Sequence, residues 1–376
     1  MAFELSVAPM LGISTPEYRR FMRIISPNAL VFTEMVVDTT LVHMDSEDLE
    51  RKIGLPTDRC VLQLGGSCPL GISKAAKRAL SLGYTKMNLN CGCPSERVQN
   101  GKFGAVLMKE PLLIAQIVQE VYEQTGVVLS VKCRIGVDDI EDYASFKKMV
   151  ETVRDNSPCR TFYVHARKCL LKGLSPADNR RVPPLKYEHV TRLKEELPEL
   201  TVILNGGIRE ISQIHGIRDK VDGVMLGRKP AEDPMVFAEL EWSIFNTPRL
   251  AHGTAVLAYL LQLSEKEEAR QRFYKIDEEY NSALKRLKAE KEAQKGKKRE
   301  EKTKEKENPH GSTAHACKYE DLRPIEPVLY GKRGCKEYKR RIADIARERI
   351  QNTEVFNRIS SFFELLELNG AQTHEE

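Results

Sequence analysis

The feature that most constrains this chain is a succession of eight short apolar or β-branched segments, each of which ends in a polar residue, Gly or Pro. They occupy 4–8, 30–33, 61–64, 86–89, 127–133, 161–164, 201–204 and 223–226, with helical, charge-dotted stretches between them. Buried strands alternating with helices are the pattern of a parallel α/β fold. The endings read Ala8-Pro9-Met10, Glu34-Met35, Gln63-Leu64-Gly65-Gly66, Asn90-Cys91-Gly92-Cys93-Pro94, Lys132-Cys133-Arg134, His165-Ala166-Arg167, Asn205-Gly206-Gly207 and Gly227-Arg228. In a (β/α)8 barrel all eight strand ends converge on one mouth, where the active sites of that fold lie. A doubly wound sheet has polar strand ends too, but does not need eight in regular succession. The predicted class is α/β: a (β/α)8 TIM barrel followed by a smaller all-α helical domain with a charged insertion.

A chain of 376 residues suits one large domain and one smaller one. The barrel is expected over 1–240, and an apolar stretch at 242–263 begins a helical domain over 241–376. Net charge is only +5, so a basic footprint matters by where it is concentrated. Between 265 and 308, 27 of 44 residues are charged, 15 basic and 12 acidic, and 288–307 has no apolar periodicity. That mixture reads as a solubilising arm, a solvated helix or disordered insertion at about 265–318, interrupting the helical domain. The chain regains helical apolar spacing at 321–368, and within it 331–341 carries six basic residues against one acid.

Nine cysteines without repeating spacing fit free thiols in a reducing compartment. The first apolar stretch, 6–11, is broken by Pro9 and has no basic leader, so no secretion signal is expected. The longest apolar-rich stretches, such as 254–263, fall short of the ~20 residues that span a bilayer. A cytoplasmic protein without a membrane segment is the expectation.

Asn205-Gly206-Gly207 and Gly227-Arg228 follow the seventh and eighth segments, where barrels commonly bind phosphate through backbone N–H groups. A phosphorylated cofactor follows. No GxGxxG follows a strand to open a helix, so any nicotinamide is a visitor. Lys132 and His165 end adjacent strands. A Lys there stabilises negative charge on a reduced flavin ring, and an imidazole holds polar atoms of the ring or phosphate tail. Cys91 and Cys93 share a loop with Gly and Pro expected at the mouth, and either is a candidate acid or nucleophile. No further Cys or His stands at metal-ligand spacing, so no metal is expected.

Val7-Ala8-Pro9-Met10, Gln63-Leu64-Gly65-Gly66, Asn88-Leu89-Asn90-Cys91-Gly92-Cys93-Pro94-Ser95 and 97–105 closely resemble the tRNA-dihydrouridine synthases. So do 131–136, 165–168 and 205–208, in the family's order and spacing. The resemblance covers 3–237, and 173–185 is similar to the A-type branch in particular. It implies FMN at the barrel mouth, reduced by NADPH, delivering hydride to C6 of a flipped uracil in the D-loop of tRNA, at position 20 or 20a, while a cysteine protonates C5. By matching position that acid is Cys93, which precedes Pro-Ser. The FMN contacts it implies are Pro9, Met10, Leu11, Gln63, Lys132, His165, Asn205, Gly206, Gly207, Gly227 and Arg228. It implies that Asn90 holds the uracil, and that Arg134, Arg167 and Arg180 contact RNA or line the substrate pocket. Lys336, Lys339 and Arg340 fall in the basic run, whose place after the barrel is similar to the family's RNA-binding helical domain. A monomer is expected.

Two departures stand out. Ala177 occupies a position where bacterial A-type members typically carry a basic RNA contact, and Lys336 and Lys339 replace Arg. Lys is a point charge without bidentate phosphate geometry. The rival readings are an FMN barrel oxidoreductase acting on free pyrimidines or small enones, and a non-catalytic tRNA-binding or folding factor. The basic run argues against the first, and the complete motif set against the second.

Overall fold

A computed structural model describes residues 3–264, 317–330, 332, 334–348, 350 and 352–371. The charged insertion expected at about 265–318 lies outside the described residues, except for its last two. Eight parallel strands pair in chain order, and the last closes on the first: β1 (Glu4–Val7), β2 (Leu30–Val37), β3 (Cys60–Gly65), β4 (Met87–Cys91), β5 (Ser130–Arg134), β6 (Thr161–His165), β7 (Thr201–Asn205) and β8 (Gly223–Leu226). The (β/α)8 barrel is therefore the architecture. β2 runs past its expected end at 33, through a register shift between Phe32 and Met35.

The helices between strands start where the sequence supplies caps. Thr15 Oγ1 accepts from the Tyr18 N–H at 3.2 Å ahead of helix Pro16–Ile25, and Asp142 does the same for Ser145 at 2.8 Å ahead of helix Tyr143–Asp155. Pro16, Pro69 and Pro111 open three helices, where the missing N–H has no intrahelical partner to lose.

Strand side chains alternate between two cores. Ala8, Phe32, Val61, Tyr163, Ile203 and Met225 fill the barrel interior, with Phe32 and Tyr163 edge to face at 5.0 Å. The opposite faces, among them Leu89, Cys91, Val131, Cys133 and Val164, join the layer against the helices. That period of two decides which polar residues reach the mouth.

Glu4 opens β1 at the barrel floor. Burial raises its carboxyl from 4.5 to about 7, an effect that the nearby Tyr163 and Ser6 hydroxyls only partly offset, and Oε1 has no hydrogen-bond partner among the described residues. An unfolded Glu ionises near 4.5, so stability is full below that pH and is lost as pH rises through about 7. Glu4→Gln is expected to raise the melting temperature at alkaline pH by about 2–6 °C, reflecting on the order of 1–3 kcal/mol. Below the unfolded pKa it should have little effect. Scanning calorimetry that found the same shift at both pH extremes would refute this titration.

Beyond the barrel, helix Val236–Phe245 runs through the boundary expected at 240/241. It stops at Asn246, in the left-handed conformation, two residues before Pro248, so the apolar stretch 242–263 is two helices rather than one. Helix His252–Ser264 then packs on helix Pro16–Ile25, with the rings of Tyr259 and Phe21 5.4 Å apart, and Arg20 Nη1 donates to Gln262 O at 3.1 Å. Helices Tyr319–Leu322, Cys335–Glu348 and Asn352–Ala371 complete the unit around Tyr338, Phe362 and Phe363. No described helix is long and apolar enough to cross a membrane.

Candidate active site

The strand ends bring most of the expected residues to one mouth. From β5 and β6, Lys132 and His165 face the barrel axis in register with Asn90 and Asn205. Lys132 Nζ donates to Asn205 Oδ1 at 3.2 Å, and Asn205 Nδ2 donates to Met225 O at 2.7 Å. Burial, then the neighbouring Arg134, push the Lys132 ammonium down to about 8. Burial, followed by Arg134 and Lys132, also holds the His165 imidazole well below its usual range, so it is neutral at physiological pH.

Lys132, Arg134, Arg167, Arg180 and Arg228 crowd this region. The first four act on His165, and Arg228 acts on both Arg167 and Arg180. Among the described residues, no carboxylate is among the groups acting on Lys132, Arg134, Arg167 or Arg180. Such a set of cations without acidic partners calls for an anion. Bare backbone lies beside it. Gly206 and Gly207 have φ of 116° and 71°, and a Cβ on Gly206 would stand 2.5 Å from His165 Cδ2. Tyr187 Oη donates to Gly206 O at 2.5 Å and fixes that turn.

The arginines differ in what they can still do. Arg134 is expected to meet substrate, yet its guanidinium is buried and already committed: Nε donates to Gly92 O at 2.9 Å, and Nη1 to Lys168 O at 3.1 Å and Asn179 O at 2.9 Å. It ties the Cys93 loop to the loop after β6, leaving Nη2 for a ligand. Arg167 Nη1 donates to Arg181 O and Pro183 O, while its buried Nε has no partner. Arg180 and Arg228 are exposed.

The two thiols separate cleanly. Cys91 does not lie at the mouth: it is the last residue of β4, 0% exposed, and packs outward among the helices opposite Cys133. Burial raises its thiol well above the usual value. Cys93 lies two residues farther along, partly exposed, and its thiol donates to Ser95 Oγ at 3.5 Å. Asn90 Oδ1 accepts from the N–H groups of Gly92 and Cys93 at 3.1 and 3.0 Å. Asn90 thus shapes the cysteine loop, and one N–H of its amide is left for a ligand after the other is given to Gln63 Oε1 at 2.9 Å.

Pro9 to Leu11 form the lip after β1. Met10 N donates to Ser14 Oγ at 2.9 Å, and Leu11 projects 81% exposed. Arg323 Nη1 donates to Gly12 O at 2.9 Å, so the helical unit touches the mouth here. On helix Cys335–Glu348, Lys336, Lys339 and Arg340 are exposed. Arg340 is held by both oxygens of Glu337, and Lys339 lies 3.9 Å from Glu326.

The family model described as dihydrouridine synthase (Dus) matches residues 6–319. The chain belongs to the dihydrouridine synthase family. A tRNA-dihydrouridine(20/20a) synthase of Xylella fastidiosa is 45% identical over 258 residues, 68% of this chain and 75% of that protein. One from Escherichia coli O6:H1 is 39% identical over 267 residues, 71% of this chain and 80% of that protein. The solved structure of morphinone reductase is similar at a TM-score of 0.45 and 9% identity, over 64% of this chain and 86% of that chain, a likeness too slight to argue from.

In this dihydrouridine synthase, Asn88, Ser130 and Asn179 also build the site, although the sequence motifs, two of which include Asn88 and Asn179, gave none of the three a role. Asn179 is fully buried, accepts from Leu170 N at 2.8 Å and orders the loop that carries Arg180. Asn88 had a visible signal: it stands two residues before Asn90, hence on the same inward face of β4.

Proposed function

We propose that this chain is a flavin-dependent tRNA-dihydrouridine synthase that reduces the C5=C6 bond of uridine at position 20 or 20a of the D-loop, with FMN as cofactor and NADPH as reductant. One observation carries the reading: a single partly exposed thiol, Cys93, sits on a loop at a mouth where Lys132, Arg134, Arg167 and Arg180 all act on His165, which packs against Gly206. The curated relatives, named for tRNA-dihydrouridine(20/20a) synthesis, support it.

The residues present fit FMN. A Cβ on Gly227 would meet Ala8 Cβ and Met10 Sδ only at an ordinary contact distance of 3.7 Å, so its backbone is uncrowded and a phosphate can approach it beside Arg228. Lys132 and Asn205 offer polar groups to the ring, His165 and Gly206–Gly207 to the tail, and Pro9, Met10 and Leu11 an apolar edge, while Gln63, expected among these contacts, is 1% exposed with its amide engaged by Asn88 and Asn90 and supports the site from beneath. Bound there, FMN supplies a hydride to uracil C6. Lys132 is the cation that stabilises negative charge on the reduced ring. Hydride addition at C6 builds enolate charge toward the C4 carbonyl, and Cys93 Sγ gives its proton at C5 to quench it. Asn90, with one amide N–H to spare, and Arg134, with the two N–H of Nη2, hold the uracil carbonyls. A base stacked in folded tRNA reaches this mouth only when flipped out, which requires a grip on the backbone nearby. The helical unit, touching the mouth through Arg323, supplies it with Lys336, Lys339 and Arg340.

The test is the FMN-loaded protein with NADPH and an unmodified tRNA transcript, read by mass spectrometry for the two added hydrogens at one D-loop uridine. A protein that stays colourless with FMN supplied is a binding factor instead. Reduction of free uracil with no salt dependence would favour the small-substrate oxidoreductase.

The helix cations make a graded prediction. Lys336 has no acidic partner among the described residues, whereas Lys339 and Arg340 must leave Glu326 and Glu337 to meet phosphate. Lys336→Ala is expected to flatten the slope of log affinity for tRNA against log salt by about 0.7–0.9, one phosphate contact, and Lys339→Ala or Arg340→Ala by less. Filter binding across a salt series checks it, and an unchanged slope in the triple variant would detach this helix from the RNA.

A further inference from the structure

Beneath the mouth, inside the barrel, four polar side chains form one directed hydrogen-bond ladder. Ser130 Oγ donates to Met87 O at 3.2 Å and accepts from Asn88 Nδ2 at 3.0 Å. Asn88 Oδ1 accepts from Gln63 Nε2 at 2.8 Å, and Gln63 Oε1 accepts from Asn90 Nδ2 at 2.9 Å. Asn90 Oδ1 then accepts the two loop N–H groups of Gly92 and Cys93. Asn88 and Gln63 are 0% and 1% exposed, so the middle of the ladder is closed to water, while Ser130 at its foot is partly exposed.

A primary amide has one accepting and one donating end, and the ladder fixes which way each points. At the floor, the Ser130 hydroxyl spends its only proton on a backbone carbonyl, so Asn88 must turn its NH2 toward it. The carbonyl of Asn88 then requires the NH2 of Gln63, and so on upward until Asn90 presents a carbonyl to the cysteine loop. Flipping any one amide sets donor against donor at one end and acceptor against acceptor at the other, in a buried site where unmade bonds are costly.

We propose that Ser130 and Asn88 are positioning residues for Cys93: from the barrel floor they set the orientation of Gln63 and Asn90, and through Asn90 they place the thiol over its target. This deepens the reaction proposed above and rests on it for the effect on turnover. The effect on the thiol itself does not depend on that reaction.

The experiment compares Ser130→Ala, Ser130→Thr and Asn88→Leu in full-length, FMN-loaded protein. Peptide mass spectrometry follows the iodoacetamide alkylation rate of Cys93, with the exposed Cys68 as internal control. Stopped-flow follows flavin reduction by NADPH and its reoxidation by tRNA. Ser130→Ala and Asn88→Leu are expected to change the Cys93 alkylation rate by about threefold or more, as a loosened loop opens, with Cys68 unaffected. They should also slow reoxidation by about tenfold or more with KM for tRNA and the NADPH step unchanged. Ser130→Thr, which keeps the hydroxyl, should restore both. Wild-type alkylation and reoxidation in folded Ser130→Ala would overturn the proposal, as would failure of Ser130→Thr to rescue. If Asn88→Leu does not fold, the Ser130 pair alone decides. If wild-type protein modifies no tRNA, the reaction fails, and the alkylation series still reads the ladder.

Discussion

Cys93→Ala is expected to cut tRNA reduction about 10²-fold or more, the contribution of a positioned general acid, while FMN content and the NADPH half-reaction stay normal. The loss should fall after flavin reduction, so stopped-flow traces should show ordinary bleaching by NADPH and a stalled return of colour when tRNA is added. Cys91→Ala should remain active within ~5-fold, since its thiol points away from the mouth into the layer against the helices and no substrate atom can reach it. Its cost is stability instead. Removing a fully buried sulfur leaves a small void, worth about 1–2 kcal/mol, and the melting temperature should drop accordingly. If Cys91→Ala stalls reoxidation while Cys93→Ala turns over normally, the acid has been assigned to the wrong thiol. If neither stalls, no thiol on this loop is the acid.

Two alanine substitutions in the glycine backbone should separate building the mouth from filling it. Gly206→Ala demands a side chain at φ 116°, with its Cβ 2.5 Å from His165 Cδ2, 2.9 Å from Nε2 and 3.2 Å from Leu185 Cδ2. The backbone conformation alone costs on the order of 1–3 kcal/mol, and the imidazole must also move, so both melting temperature and FMN binding should collapse. Gly227→Ala meets no such obstacle: φ is −112°, and the nearest atoms are at ordinary contact distance. The apoprotein should melt as wild type. Its new methyl, however, occupies the space through which phosphate approaches the backbone, so FMN affinity should fall about tenfold or more. Lys132→Ala and Arg228→Ala should weaken flavin retention similarly, each removing a charge-assisted contact worth about 1.5–3 kcal/mol. Fluorescence titration of apoprotein with FMN measures all four. Wild-type affinity in both Gly227→Ala and Arg228→Ala would move the phosphate to another part of the mouth.

The barrel and the family were legible in the sequence because both are written locally. Eight apolar runs with polar ends repeat a pattern that only one closed arrangement accommodates, and the motifs around Gln63, Asn90–Cys93, Lys132 and Asn205–Gly207 lie at strand ends whose position follows from the strands themselves. Strand parity is equally local. Cys91 directly follows Asn90 in the same strand, so an inward Asn90 turns Cys91 outward, away from the mouth.

What the tertiary structure decided is who is already spoken for. Arg134 looks like a free substrate contact until the loops after β4 and β6 fold over it and take two of its nitrogens. Lys339 looks equal to Lys336 in a basic run until Glu326, from outside its helix, is seen 3.9 Å from it. Ser130 looks like an ordinary strand residue until β3, β4 and β5 close side by side and make it the first rung beneath the cysteine loop. Residue type and spacing therefore determined which strands form and which chemistry the mouth can hold, because those depend on neighbours along the chain. The remaining donors of Arg134, the buried carboxyl of Glu4 and the orientation of the Asn88 and Gln63 amides depend on partners 25 or more residues away, and only the closed barrel brings those into contact.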